Sequence, residues 1–344
     1  MKKNTSCILV CLSFQILFFA TSCKKNKNDD MVYAFKVGLL VDAAGLDDKS
    51  FNHATWEGIQ RGLHDIPFCV EARIGQTSDD YPSIIQYFID QEFDLIIAPG
   101  YLVADAMVES ARQNPETDFL LLDVAPDSLT SNLVCGVFDV DQASFPCGFL
   151  AAYWALQKDP IQPVVGYVGG PGVPVIQQLS VSFTHGVAYF NNHYQRSVVC
   201  MGANTSDFVD SIRGAQLADS LIGAGAEVIF AFAGKAGNGA LAQTKFSGKW
   251  GIGMDSDQYI SYPEVQDILL TSCLKNLGNM VYQQLVNYYH DDFPGGKVIH
   301  GDLANQEVGM APYHDFESLI PDSVKNAIEN VKTGIIEGTI DTGW

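Results

Sequence analysis

Residues 35–63 read FKVGLLVDAAGLDDKSFNHATWEGIQRGL. The opening run, Phe35–Val41, is apolar on both faces, as expected of a parallel strand with helices on each side. A polar turn follows at 42–50, and residues 52–63 have the length and apolar spacing of a helix. Because strand, turn and helix follow one another directly, this stretch predicts the first unit of an α/β fold.

The same alternation continues along the rest of the chain. Further strands are predicted at 70–74, 95–98, 119–122, 134–138, 164–168, 197–201, 228–232, 250–253 and 268–274. Helix-length segments between them include 82–91, 103–113, 212–222 and 277–290. So many strands would be unusual in one doubly wound sheet, so we predict two parallel sheets of about five strands each.

The two halves follow one another without a linker, which favours two lobes joined by hinge segments. We predict crossings near residues 139–145, 255–258 and 301–305. The N-terminal lobe would then comprise residues 34–140 plus 258–302, and the C-terminal lobe residues 141–257 plus 303–344. Ligands of doubly wound sheets bind beyond the carboxyl ends of the strands, so we expect a cleft between the lobes.

The first residues have the pattern of an export signal. Lys2 and Lys3 precede a short apolar run, and small residues precede Cys23. A membrane-spanning helix needs about 20 apolar residues, so this run is too short for an anchor. We therefore predict a signal peptide over residues 1–22.

The position of Cys23 at the expected cleavage point favours a lipoprotein. Ser22 provides the small preceding residue, although Ala20 stands where such signals usually carry leucine. The alternative is an ordinary signal peptide with a chance cysteine nearby. Two acyl chains on Cys23 would be sufficient for stable anchoring, and residues 23–33 would form the lipidated start of a flexible tether.

Composition and motifs exclude several functions. The net charge of −20 argues against nucleic acid or anionic lipid as a partner, because phosphate is bound by Lys and Arg. The turn at 42–50 lacks the GxGxxG fingerprint, Gly234-Lys235 lacks the P-loop spacing, and GxSxG is missing. The scattered histidines suggest neither a metal site nor a catalytic triad. We predict a binding protein without metal or cofactor rather than an enzyme.

Charged residues follow several predicted strands at their carboxyl ends. Asp42, Asp123, Asp255 and Lys275 occupy such positions, although each alone could be an ordinary turn or surface residue. Gly234 ends another strand and opens a helix, where free backbone N–H groups can meet a ligand oxygen. Charged residues that recur at the carboxyl ends of several strands indicate contacts with a ligand.

Phe51 begins the first helix, directly after Ser50, a predicted helix N-cap. The cleft is expected at this helix start. Taken alone, Phe51 is better explained as a core residue or a hydrophobic staple.

The motifs around this helix resemble the opening signature of the basic membrane protein family, at residues 37–42, 45–52 and 56–58. Further similar segments follow in family order at 225–230, 233–239, 253–258 and 271–275. The nearest likeness is to the purine nucleoside receptor lipoproteins of spirochaetes. The resemblance implies a lipoprotein substrate-binding subunit of a nucleoside ABC transporter, with the α/β type I periplasmic binding-protein fold of two doubly wound parallel-sheet lobes.

In this family the base lies between two aromatic rings, one from each lobe. The resemblance assigns these rings to Phe51 and Phe208, although the segment 205–210 departs from the family order by a residue. It also matches Asp42 and Asp123 to positions that meet the base. The ribose hydroxyls would be held by Gly234, Asp255 and Lys275, and Asn52 completes the predicted ligand-binding set.

The expected function is therefore the capture of purine nucleosides (adenosine, guanosine or inosine) and their delivery to an ABC permease with its ATPase subunits. We expect a monomer on the outer face of the cell membrane or at the cell surface, held by its lipid anchor alone. Two alternatives remain open: a sugar-binding protein of the same fold, since aromatic rings also stack on pyranose faces, and a surface adhesin or antigen.

Overall fold

The structure is a computed structural model, and it describes residues 33–344. The predicted signal peptide and Cys23 lie outside these residues. Over residues 33–344, no helix is long and apolar enough to cross a membrane. The strands form two six-stranded sheets, and each sheet with its helices is called a lobe below.

The first lobe is built on an all-parallel sheet. Its strands are β1 (Phe35–Val41), β2 (Phe68–Ile74), β3 (Leu95–Pro99), β4 (Asp118–Leu122), β5 (Leu133–Phe138) and β11 (Val298–Gly301). They are arranged in the order β11-β5-β4-β3-β1-β2. The helices that pack with it are α1 (Phe51–Asp65), α2 (Tyr81–Asp90), α3 (Ala104–Gln113) and α9 (Leu277–Tyr289).

The second lobe repeats this plan with one antiparallel edge strand. Its strands are β6 (Val164–Gly169), β7 (Val199–Asn204), β8 (Ala226–Phe232), β9 (Trp250–Asp255), β10 (Leu269–Lys275) and β12 (Val308–Met310), in the order β12-β10-β9-β8-β6-β7. Its helices are α4 (Asp141–Lys158), α5 (Pro174–Tyr194), α6 (Ser211–Gly223), α7 (Gly234–Phe246), α8 (Gln258–Ser261) and α10 (Asp322–Ile336).

Both faces of the first sheet are buried. Leu39 and Leu40 are adjacent on β1 and both fully buried, yet they pack into different apolar clusters. Successive side chains of a strand point to opposite faces, so one cluster lies on each side of the sheet. This arrangement confirms the prediction of strands covered by helices on both sides.

The chain crosses between the lobes three times along residues 33–344. The first crossing follows β5, the second follows β10 and the third lies between β11 and β12. The second falls later than residues 255–258, because β10 pairs with β9 and β12 and so belongs to the second lobe. The segment 258–275, predicted for the N-terminal lobe, accordingly lies with the second sheet.

Helices α1 and α9 approach closely where Gly58 faces Gly278. A Cβ atom at Gly58 would lie 2.3 Å from the Gly278 carbonyl oxygen, which is backbone and cannot rotate away. We expect Gly58→Ala to lower the free energy of unfolding by about 1–3 kcal/mol, the usual effect of overpacking. Chemical denaturation measures this change.

Gly223→Ala is the matched control for this substitution. Gly223 ends α6, and its added Cβ would meet no atom within 4 Å among the described residues. Alanine is the better helix former, so this variant should be as stable as the wild type or slightly more stable. Equal destabilisation by both changes would contradict the close-approach argument.

Candidate ligand-binding site

A cavity lies between the lobes at the carboxyl ends of the strands. Its volume is about 680 Å³, including the part open to solvent. Most of the predicted site residues line it: Asp42, Phe51, Asp123, Phe208, Gly234, Asp255 and Lys275. Residues far apart in sequence thus meet in one cavity.

Lys275 is the centre of the polar half of this cavity. Its Nζ atom lies 2.8 Å and 3.0 Å from the two carboxylate oxygens of Asp123, and 3.8 Å from Oδ1 of Asp255. Its side chain is 3% exposed. Burial alone would lower the pKa of Lys275, but the two carboxylates outweigh burial and raise it above the ordinary value. The ammonium group is therefore charged across the physiological pH range.

The pKa of Asp255 depends on the same group of contacts. Burial raises its pKa, whereas Lys275 and a hydrogen bond from Ser50 lower it. Asp123 and Asp255 also share a left-handed backbone, with φ of 75° and 67°. Such conformations are uncommon outside glycine, although Asp adopts them more readily than most residues. Each strand end thus turns sharply at the carboxylate that lines the cavity.

Two aromatic rings enter the cavity from opposite lobes. Phe51 is the first residue of α1, and the Lys275 ammonium lies 5.0 Å from its ring centroid, within cation–π range. Phe208 precedes α6 and packs over Gly170, where a Cβ would lie 2.3 Å from the Phe208 ring. Glycine at 170 therefore makes room for the second ring.

Asp42 and Asn52 act as a pair. The Asn52 Nδ2 atom donates a hydrogen bond of 2.8 Å to Oδ1 of Asp42, which also accepts from the backbone N–H of Ala44 at 3.0 Å. Asp42 lines the cavity, whereas Asn52 is 1% exposed and lies behind it. Asn52 thus holds Asp42 in place through Oδ1.

Asp48 also lines the cavity and was not predicted. Its carboxylate accepts hydrogen bonds from the backbone N–H groups of Ser50, Asn52 and His53, so it caps the start of α1. Burial raises its pKa to about 6, against the opposing effect of these hydrogen bonds. Ser50 occupies the N-cap position, as predicted, but its side chain makes no capping hydrogen bond, because its hydroxyl donates to Asp255 of the second lobe.

The rest of the wall is largely apolar. It includes Pro99, Tyr101, Leu102, Val173, Val175, Ile176, Leu179, Phe232 and Met254, none of which was predicted. Isolated apolar residues in a sequence carry no sign of a binding role, so these could be found only from the structure. The cavity thus combines a largely apolar wall with a few charged side chains, which is typical of small-molecule sites.

The charges of the wall favour a ligand without phosphate groups. Along the described chain the wall carries Asp42, Asp48, Asp123 and Asp255 against one cation, Lys275, which is already paired. An anionic ligand would meet uncompensated carboxylates in a partly buried site. Within residues 33–344, no cluster of three or more His, Cys, Asp and Glu side chains could hold a metal ion.

Two doubly wound lobes with a polar and aromatic cavity between them define a cleft-type binding protein. A sequence profile of the Bmp family, described as ABC transporter substrate-binding protein PnrA-like, matches residues 35–341. The chain belongs to this family and is a substrate-binding protein of an ABC transporter. This finding confirms the family predicted from the sequence and the prediction of a binding protein rather than an enzyme.

Named relatives are similar over most of their length. A CD4+ T-cell-stimulating antigen of Listeria innocua is 30% identical, over 92% of this chain and 90% of the relative. Basic membrane protein B of Borreliella burgdorferi is 28% identical, over 90% of each chain. An ABC transporter nucleoside-binding protein, BmpA of Lactococcus lactis, is 26% identical, over 89% of this chain and 88% of the relative.

Solved structures show the same fold. An ABC transporter solute-binding protein of Aeropyrum pernix superimposes with a TM-score of 0.83 at 21% identity, over 89% of this chain and 92% of that one. A solute-binding protein of Conexibacter woesei superimposes with a TM-score of 0.68 at 20% identity, over 90% and 98%. The predicted type I periplasmic binding-protein fold is thereby confirmed.

Replacing Lys275 tests the electrostatics of the site. Lys275→Met leaves Asp123 and Asp255 buried without their cation, so we expect a loss of about 3–5 kcal/mol of unfolding free energy near neutral pH. Without the lysine the pKa of the Asp255 carboxyl rises in the folded state, because Lys275 opposes the effect of burial on this group. The folded variant therefore binds protons as the pH falls, and its deficit against the wild type should shrink at acidic pH.

Denaturation of both proteins at about pH 8 and pH 5 measures this difference. Lys245→Met is the control, because Lys245 pairs with Asp267 at the surface. We expect it to change stability little at either pH. A Lys275→Met deficit that stayed constant or grew toward acidic pH would contradict the assigned ion pairs.

Proposed function

We propose that the protein captures purine nucleosides between its lobes and delivers them to the permease of an ABC importer. The observation that carries this proposal is the entry of Phe51 and Phe208 into one cavity from opposite lobes. Two rings from opposite lobes would stack on the two faces of a flat heteroaromatic base. Each stacked ring contributes about 1–3 kcal/mol of binding free energy.

The polar residues supply the complementary chemistry. Asp42 and Asp123 line the cavity, and their carboxylates would accept hydrogen bonds from the amino and imino groups of a base. Gly234 begins α7, so its backbone N–H can meet a hydroxyl oxygen, and Asp255 and Lys275 offer an acceptor and a donor to ribose. The name of the Lactococcus lactis relative, a nucleoside-binding protein, agrees with this chemistry.

The lobes would serve delivery by closing over the ligand. We propose hinge motion about the three crossing segments, with the closed form as the one the permease and its ATPase subunits favour. The protein would act as a monomer, tethered outside the cell membrane by acyl chains on Cys23. Tethering would keep captured nucleoside near the transporter.

Removing either aromatic ring tests nucleoside binding. We expect the wild-type protein, extracted from membranes in detergent, to bind adenosine, guanosine or inosine with a Kd of about 1 μM or tighter in titration calorimetry. Phe51→Ala and Phe208→Ala should each weaken this binding by about fivefold to a hundredfold, because each removes one stacking surface.

Phe246→Ala provides the matched control for the ring substitutions. Phe246 is 86% exposed at the end of α7, so its replacement should leave the affinity unchanged. Unchanged affinity in Phe51→Ala would contradict the stacking arrangement. Binding of ribose or galactose without any nucleoside would favour the sugar alternative, and an inert cleft with binding to a host protein would favour the adhesin.

Replacing Cys23 tests the tether. We expect Cys23→Ser to prevent acylation, so the exported protein should move from the membrane fraction to the soluble fraction and fail to incorporate labelled palmitate. Its nucleoside affinity should equal that of the wild type. Retention of Cys23→Ser in the membrane fraction would contradict the proposed anchor.

A further inference from the structure

The loop at residues 47–50 of the first lobe reaches the second lobe and is called the interlobe loop. Lys49 has a left-handed backbone with φ of 61°. Its carbonyl oxygen accepts hydrogen bonds from Ser256 at 3.2 Å, Gln258 at 3.1 Å and Ser261 at 2.9 Å. All three donors belong to the second lobe, so the Lys49 carbonyl joins the lobes, and Lys49 itself is not part of the cavity wall.

The next residue of the loop, Ser50, contacts the binding site itself. Its hydroxyl donates to Oδ2 of Asp255, and it lies 3.4 Å from the Met254 carbonyl oxygen. A hydroxyl has one hydrogen to donate, and the shorter contact to a charged acceptor takes it. Oδ1 of Asp255 then remains on the side of Lys275, which lines the cavity.

Ser50 acts through Asp255 rather than on a ligand. Ser50 is 2% exposed and lies outside the cavity wall, whereas Asp255 is part of that wall. The α1 backbone is capped by Asp48, so the Ser50 hydroxyl is available for the second lobe. Removing this hydroxyl would therefore leave the helix cap in place.

We propose that Ser50 is a positioning residue of the binding site, which from the first lobe orients the Asp255 carboxylate of the second lobe toward the ligand. This inference rests on the proposed nucleoside-binding function. Because the two residues belong to different lobes, the hydrogen bond forms only when the lobes are together. Closure would thus complete the half of the site that meets the hydroxyl groups of the ligand.

Affinity measurements on three variants test the proposal in the full, membrane-extracted protein. Ser50→Ala should weaken adenosine, guanosine or inosine binding about tenfold or more, as expected for a lost hydrogen bond to a charged group. Ser50→Thr keeps the hydroxyl and should restore most of the affinity. Ser256→Ala removes one of the three donors to Lys49 and should change affinity by less than about twofold.

A double-mutant cycle distinguishes positioning from general lobe closure. Asp255→Asn should weaken binding, and adding Ser50→Ala to it should have little further effect, because the residue through which Ser50 acts is already changed. Independent losses that multiply in the double variant would overturn the proposal. So would equal losses in Ser50→Ala and Ser256→Ala.

A measurement without ligand separates this inference from the proposed function. The hydrogen bond from Ser50 stabilises the ionised Asp255 carboxylate, so Ser50→Ala should raise the pKa of Asp255 in carboxyl ¹³C NMR. An unchanged pKa would overturn the positioning role. If the wild type bound no nucleoside, the proposed function would fail, while the pKa comparison would still decide the role of Ser50.

Discussion

The pairing of Lys275 with Asp123 joins the two lobes through charge. The lysine ends β10 of the second sheet and the aspartate follows β4 of the first, 152 residues away. Both side chains are nearly buried, so water solvates neither charge well and each needs the other as its counter-ion. Separation of the lobes at this point must therefore rehydrate an ammonium group and a carboxylate together, which makes the lobe arrangement and the charge state of the site interdependent.

The same region explains why α1 begins where it does. Asp48 satisfies the first free N–H groups of the helix, which places Phe51 in its first turn and directs the ring into the cavity. The cap also leaves Ser50 free to meet Asp255. One short polar loop thus sets the helix start, the position of an aromatic ring and a contact between the lobes.

Much of this architecture could be predicted from alternating patterns. Every strand predicted from an apolar run is present within a few residues, because buried parallel strands leave a strong signal. The strands β11 and β12 were missed since both are short, and His300 on β11 is exposed. Without these two strands, about five strands were predicted for each sheet instead of the six observed.

For the site, the sequence predicted the charged residues but not how they pair. Charges at strand ends indicated Asp42, Asp123, Asp255 and Lys275, because parallel strands bring their carboxyl ends to one edge. Which residues pair could not be read from the sequence, since Lys275 meets Asp123 only through the mutual orientation of two sheets. For the same reason the capping role of Asp48 could not be predicted: Ser and Asp are both good helix caps, and the Ser50 hydroxyl instead donates to Asp255 of the other lobe.

The buried charges argue for binding rather than for stability as their role. Replacing a buried ion pair with apolar side chains is often neutral or stabilising, so folding alone gives little reason to keep one. Here the pair lines a cavity, lies beside an aromatic ring and is joined by Asp255, whose backbone has adopted an uncommon conformation. An uncommon backbone conformation and buried charged groups in one place are expected where a ligand supplies compensating contacts. In the proposed function, a ligand with hydroxyl donors and acceptors would supply such contacts only when both lobes surround it, so recognition would require closure.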